Sequence, residues 1–175
     1  MQNLHRVTKL AGILRWITIA TMVALPTGIT IGLLTTPLTP DHWYIDQPVS
    51  PDVTRTQLAI SLILGLISLA ILMFTLDAMR KLFVAYHDGE VLTDHCARLI
   101  QRIGQGFLTL AATSFVIRPI QTVLLTFANP PGQRILAIGV NNEMIFFALS
   151  GGLIIVIGWA MGEAADAAAE NRSFV

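Results

Sequence analysis

The spacing of the ionisable residues constrains this chain more than any other feature. Residues 16 to 40 are 25 consecutive uncharged positions between Arg15 and Asp41, and residues 56 to 76 are 21 between Arg55 and Asp77. A further 19 uncharged positions separate Glu143 from Glu163, and the 31 positions between Arg102 and Arg134 are interrupted only by Arg118. A spanning helix needs about 20 predominantly apolar residues, because the hydrocarbon core of a bilayer is about 30 Å thick. The windows predict four spans, at about 14–36, 57–79, 106–128 and 144–162. Their apolar character runs around each segment, whereas a soluble bundle would show polar faces at helical spacing. The expected fold class is all-α: an integral membrane four-helix bundle, with residues 1–175 forming a single transmembrane domain.

Composition narrows the function classes. Only 13% of residues are charged and 54% are hydrophobic, against about 25% charged in an ordinary soluble domain. A disordered chain needs the opposite balance. Eleven Lys and Arg are matched by 11 Asp and Glu, so there is no basic excess of the kind that direct nucleic-acid binding requires. The single cysteine excludes a disulfide framework and a cysteine-based zinc site. No P-loop, GxSxG, HExxH or dinucleotide fingerprint occurs. The expectation is a protein that is not an enzyme and carries no cofactor or metal.

Orientation follows from the distribution of Lys and Arg. Arg6, Lys9 and Arg15 precede the first span, Arg80, Lys81, Arg98 and Arg102 lie between the second and third, and Arg172 follows the fourth. The two remaining loops hold only Arg55 and Arg134. The positive-inside rule places both termini and the middle loop in the cytoplasm (N-in, C-in). Trp16, Tyr86 and Trp159 then fall near the inner interface, and Trp43 and Tyr44 near the outer one. The first span resembles a signal peptide in its basic start. Its apolar run is longer than usual, however, and Thr35-Thr36-Pro37 offers no small-residue cleavage pattern, so a retained helix is expected.

Local punctuation supplies further expectations. Pro26 and Pro119 lie inside the first and third spans, where a missing donor and a steric clash favour kinks. Gly28 with Gly32 and Gly158 with Gly162 are GxxxG pairs, read first as packing within the chain and second as a homo-oligomer seam. Trp43-Tyr44-Ile45 and residues 134 to 140 have strand composition and are read as an outer β cap, or the second run as an outward extension of the fourth helix. Asp88-Gly89 marks a turn, and Thr93 is an N-cap for a short cytoplasmic helix through His95, Arg98, Leu99 and Arg102 that feeds the third span. Asp77 and Lys81 form a favourable i, i+4 pair. Glu163, Asp166 and Glu170 share one helix face, which either meets Arg80, Lys81, Arg98 and Arg102 or is simply solvated.

Arg118 is the residue that most needs explaining, since a charge near mid-bilayer costs at least about 2.5–3.5 kcal/mol. With Gln121 it is a candidate ligand site for an anionic headgroup or a quinone-like molecule. The competing reading is a structural arginine that snorkels outward or pairs with Glu143. His87, Asp88, Glu90, Asp94, His95 and Cys96 cluster in the middle loop without any recognised metal-ligand spacing, and are read as a solvated loop. Cys96 is read as a small buried or interfacial residue.

Two stretches carry a family resemblance. Lys81-Leu-Phe83, Asp88-Gly-Glu-Val-Leu-Thr93 and Leu99-Ile-Gln-Arg-Ile-Gly104 form one, and Ala164-Ala-Asp-Ala-Ala-Ala-Glu-Asn171 with Arg172-Ser-Phe-Val175 forms the other. Together they resemble the bacterial membrane proteins grouped as "domain of unknown function 2975", with Leu92 standing where that family carries an aromatic residue. The resemblance implies a bacterial inner-membrane location and no established activity. It also implies a neighbouring small helix-turn-helix regulator as a cytosolic partner. The leading expectation is a non-enzymatic accessory or regulatory protein that binds this partner through Arg80, Lys81, Gly89, Thr93, Arg98, Arg102, Asp166 and Glu170. The alternative is a lipid- or small-molecule-binding bundle, or a transport component, using the Arg118 region.

Overall fold

The computed structural model describes residues 2–35, 53–130, 132–134 and 136–173. They form four helices: α1 (Gln2–Thr35), α2 (Arg55–His87), α3 (Asp94–Thr126) and α4 (Asn142–Ser173). All four are long and apolar enough to cross a membrane. Each is longer than its charge-free window, at 34, 33, 33 and 32 residues respectively. The extensions follow from local signals. The Thr54 N–H donates to Gln57 Oε1 (2.9 Å) at the start of α2. At α3 the Cys96 N–H donates to Thr93 Oγ1 (3.3 Å), as the sequence predicts, so the short loop helix is the first part of α3 itself. Asn141 Oδ1 accepts from the Met144 N–H (2.9 Å) at α4. Both Pro26 and Pro119 lie within continuous helix.

The helices pack antiparallel in chain order, α1 on α2, α2 on α3 and α3 on α4; among the described residues no other pair of helices comes together. The seam between α3 and α4 is built on glycine. A Cβ on Gly104 would sit 2.7 Å from the Gly151 carbonyl oxygen, and one on Gly151 would sit 2.8 Å from the Gly104 carbonyl oxygen. Gly158 meets Gln101 in the same way at 2.6 Å, and Phe107 stacks on Phe147 with ring centroids 5.8 Å apart. Between α2 and α3, Gly106 receives the Thr75 side chain, whose hydroxyl is satisfied by the Ile71 carbonyl (2.9 Å). A core of Ala78, Leu82, Ala85, Cys96, Leu99, Ile100 and Ile103 fills the α2–α3 interface near their connection.

Two expectations need correction. No strand occurs among the described residues, and residues 136 to 140 are irregular, so they neither pair as part of an outer cap nor extend α4. Gly132 turns the chain with φ +94, and Arg134 is held back on Asn129 O (3.3 Å), which commits the segment to a loop before Asn142. The other strand candidate, Trp43 to Ile45, lies outside the described residues. The two GxxxG pairs also differ: Gly158 and Gly162 face α3, whereas a Cβ on Gly28 or Gly32 would meet nothing within 4 Å among the described residues.

Replacing Gly104 or Gly151 by Leu should lower the unfolding temperature in detergent by several degrees. Overpacking of this kind costs about 1–3 kcal/mol, and here the obstructing atoms are backbone. Gly32→Leu should leave the temperature unchanged within a degree or so. Thermal unfolding followed by size-exclusion chromatography measures both.

Candidate functional site

The α2–α3 connection is the most completely built polar feature of the molecule. The N–H of Asp88 bonds Val84 O (3.0 Å), that of Gly89 bonds Tyr86 O (3.3 Å) and that of Glu90 bonds Ala85 O (2.9 Å). Gly89 takes φ +88, a value that costs a glycine nothing. Cys96 is fully buried and its Sγ–H donates to Glu90 O (3.0 Å), closing the turn onto the first turn of α3. His87 extends the fixing to α1, because its Nδ1 lies 3.2 Å from Thr8 O. A carbonyl can only accept, so this contact is a hydrogen bond when Nδ1 carries the proton.

Beside this turn lies a recess of about 290 Å³, lined by Arg80, Lys81, Val84, Ala85, Asp88, Glu90 and His95. Its charges are partly neutralised from within. Asp77 accepts from Arg80 Nη2 (2.8 Å) and from Lys81 Nζ (2.6 Å), the second being the pair expected from spacing. Asp94 pairs with Arg98 one turn away. Asp88 and Glu90 are exposed and form no ion pair with the described residues.

The structure therefore brings Arg80 and Lys81 to one recess at the Gly89 turn, and it uses Thr93 as a cap. It sets Arg98 apart in a pair of its own, and it puts Arg102 on a separate stretch of α3. Among the described residues no ion pair joins Glu163 or Asp166 to the basic set. Gly158, Gly162 and Ala165 are the α4 residues turned to α3, which leaves Glu163, Asp166 and Glu170 on the exposed side. The acids at i−3 and i−4 reach their arginines and lysine first. Sequence reasoning grouped Glu90 and His95 with the titratable residues of the middle loop but read them as solvated and did not place them at a recess.

Arg118 and Gln121 lie at the opposite end. Arg118 is exposed, whereas Gln121 Nε2 donates across to Ser61 O on α2 (3.1 Å). Thr122 and Thr126 are buried and return their hydroxyls to Arg118 O (2.8 Å) and Thr122 O (2.7 Å). An apolar groove of about 410 Å³ starts at Pro119 and Ile120 and continues past Val123, Leu124, Phe127 and Leu136, with Gln57 at its side. Arg134 lies over the Phe127 ring, 4.9 Å from its centroid.

Among the described residues no three His, Cys, Asp or Glu side chains are grouped closely enough to hold a metal ion. In comparisons with known proteins, no family model, curated protein or solved structure matches this chain.

Burial gives a direct check on the turn. Cys96 in the folded protein should react with N-ethylmaleimide at least about a hundredfold more slowly than in denaturant, because a thiol sealed from solvent exposes no thiolate. Mass spectrometry over a labelling time course reads the ratio. Gln121→Leu should lower stability by about 0.6–1.7 kcal/mol, the range for interhelical hydrogen bonds in membranes.

Proposed function

We propose that this is a multi-pass protein of a bacterial inner membrane, with both termini and the α2–α3 connection in the cytoplasm. In this reading it is a non-enzymatic accessory or regulatory protein that docks a cytosolic partner at that end. The observation that carries it is the recess beside the Gly89 turn, which is lined by charged residues of both signs and sits on a connection too well bonded to be a mere linker.

The orientation draws support from charge and length. Arg6, Lys9, Arg15, Arg80, Lys81, Arg98 and Arg102 are at the end with the α2–α3 connection, and the far end has Arg55, Arg118 and Arg134. Positive charge is retained on the cytoplasmic side of bacterial membranes. Trp16 and Trp159 are exposed, at 69% and 63%, and suit the headgroup level. A helix of 32 residues is about 48 Å long, which leaves about 18 Å beyond a 30 Å core.

The chemistry of the partner follows from what remains exposed. The cations of the recess have acids beside them, whereas Asp88, Glu90, Glu163 and Asp166 are exposed and lack ion-pair partners among the described residues. Such a face suits a basic protein. A small helix-turn-helix regulator, the partner that the family resemblance suggests, carries its basic surface where it meets DNA. Docking there would hold the regulator at the membrane with that surface covered.

A second reading rests on the far-end groove, which opens at Pro119 immediately after Arg118 and is almost wholly apolar. It fits the tail of a lipid or quinone-like molecule, with Arg118 beside it.

Affinity purification of the tagged protein in mild detergent, with proteomics and lipid mass spectrometry on one eluate, tests both. The docking reading expects a stoichiometric small DNA-binding protein, reduced more than about tenfold by Glu90→Lys with Asp166→Lys, since opposed like charges cost several kcal/mol. Equal recovery from that variant overturns it. A small molecule retained by the wild type and lost from Arg118→Leu favours the second reading.

A further inference from the structure

Arg102 is the cation that the charge pairing around the α2–α3 connection leaves over. Arg80 and Lys81 share Asp77, and Arg98 has Asp94. Arg102, one turn further along α3, is exposed and has no hydrogen-bond or ion-pair partner among the described residues. Its immediate helical neighbours explain this: Arg98 and Leu99 precede it by four and three residues, and Gln105 and Gly106 follow at three and four. None is an acid.

Arg102 stands at the head of a groove of about 440 Å³ between α2 and α3. Ala70, Ile71 and Phe74 line it from α2, and Gln105, Gly106 and Thr109 from α3. Gly106 lines the groove with no side chain of its own, the place of its missing Cβ being filled by Thr75, and Ala70 adds only a methyl group. No third helix bridges the seam, since α1 packs on α2 alone and α4 on α3 alone. The Thr109 hydroxyl is already satisfied by Gln105 O (2.8 Å), which leaves the Gln105 amide, one turn from Arg102, as the polar group beside the head of the channel. Phe74, 65% exposed, forms its flank. From Arg102 to Thr109 the channel runs about 10 Å along α3, away from the charged end and towards the middle of the bundle.

A cation heading an apolar channel that runs towards the membrane interior is complementary to one kind of molecule. We infer that this groove holds an anionic phospholipid of the adjoining leaflet, with its phosphate on the Arg102 guanidinium and an acyl chain along Ala70, Phe74 and Gly106. The inference rests on the membrane reading but not on the docking of a partner. Guanidinium groups present a planar fork of donors that matches a phosphate, and basic pockets between spanning helices on the cytoplasmic side take up anionic headgroups. The depth agrees. Arg102 and Arg118 are 16 residues apart on α3, about 24 Å of helix. That separation is within a hydrocarbon core of about 30 Å, and helical side chains tilt towards the helix N-terminus, which carries the Arg102 guanidinium towards the headgroups. The far-end groove is less suited to this role, because Arg134 already donates to Asn129 O and lies over Phe127.

The test uses the full chain in a mild neutral detergent, with dioleoylphosphatidylglycerol or dioleoylphosphatidylcholine added in equal amounts and bound lipid counted by native mass spectrometry. The wild type should retain one phosphatidylglycerol about fivefold over phosphatidylcholine, the preference expected from one basic residue at an anionic surface. Arg102→Gln should bring that ratio to about one, and Arg55→Gln, at the far end, should leave it unchanged. Ala70→Phe fills the channel with the charge intact and should remove the bound lipid. Excess inorganic phosphate should not displace it. An unchanged ratio in Arg102→Gln, lipid retained in Ala70→Phe, or displacement by phosphate alone overturns the inference. If Arg102→Gln is not recovered folded, Ala70→Phe decides. Neither variant alters Asp88, Glu90 or Asp166, so loss of the protein partner with an intact lipid preference would sink only the docking reading.

Discussion

The mutual approach of Gly104 and Gly151 is the contact on which the arrangement of this molecule depends. Helices in lipid gain little by burying apolar surface against one another, because the tails around them are equally apolar. Association then rests on close van der Waals packing and on hydrogen bonds between helices. At Gly104 and Gly151 each backbone occupies the space where the other residue's Cβ would stand, so no other amino acid permits this distance. The helix α4 touches no helix but α3 among the described residues, and this seam is therefore its whole attachment. Gly106 repeats the device towards α2, where it admits Thr75. The helix α3 thus presents glycine to both neighbours and becomes the centre of the assembly. The helix α1 has a lesser attachment, in which Gly12 and the Thr8 carbonyl meet His87.

What was legible in the sequence is what depends on local physics. A charge is expensive in hydrocarbon wherever the neighbouring helices lie, so the uncharged windows located four apolar helices. Thr93 and Asp88-Gly89 marked the ends of α2 and α3 because caps and turns are made within a few residues. Charge counting alone understates helix length, but the alanine-rich run from Glu163 to Glu170 reads as a continuation of the fourth span, and α4 does run on to Ser173. Tertiary choices were hidden. The pair Gly28 and Gly32 has the spacing of a packing motif and meets nothing among the described residues, while Gly104 and Gly151, which form the seam, belong to no GxxxG pair. Gln121 reads as a ligand residue in isolation, but its partner is Ser61, 60 positions away.

Electrostatics shows the same division between local and distant. Arg80, Lys81 and Arg98 each have an acid three or four residues earlier, and each pairs with it. A cross-helix partner must outcompete a neighbour already held in place by the helix, at extra cost in side-chain freedom. The acids of α4 could have won only by facing α3, and the small residues needed for close packing occupy that face instead. The glycine seam therefore decides the electrostatic layout as well as the packing.

That layout is layered along the bundle axis. Gly158 lies against Gln101 and Gly162 near Ala97, so Arg102 is level with the last uncharged turns of α4, and Glu163 begins beyond it. Asp166 and Glu170 follow one and two turns further out, about 5 and 11 Å from Glu163. On the orientation proposed above, Arg102 lies at the membrane surface and the exposed acids stand towards the cytosol. A phospholipid phosphate on Arg102 would neutralise the inner layer and leave the acidic layer as the charge that a cytosolic protein meets. Because the Debye length is about 8 Å at physiological ionic strength, an acid 11 Å farther out than Glu163 is largely screened from the cation beneath. The lipid site and the docking surface therefore act on different charges of one end and need not compete.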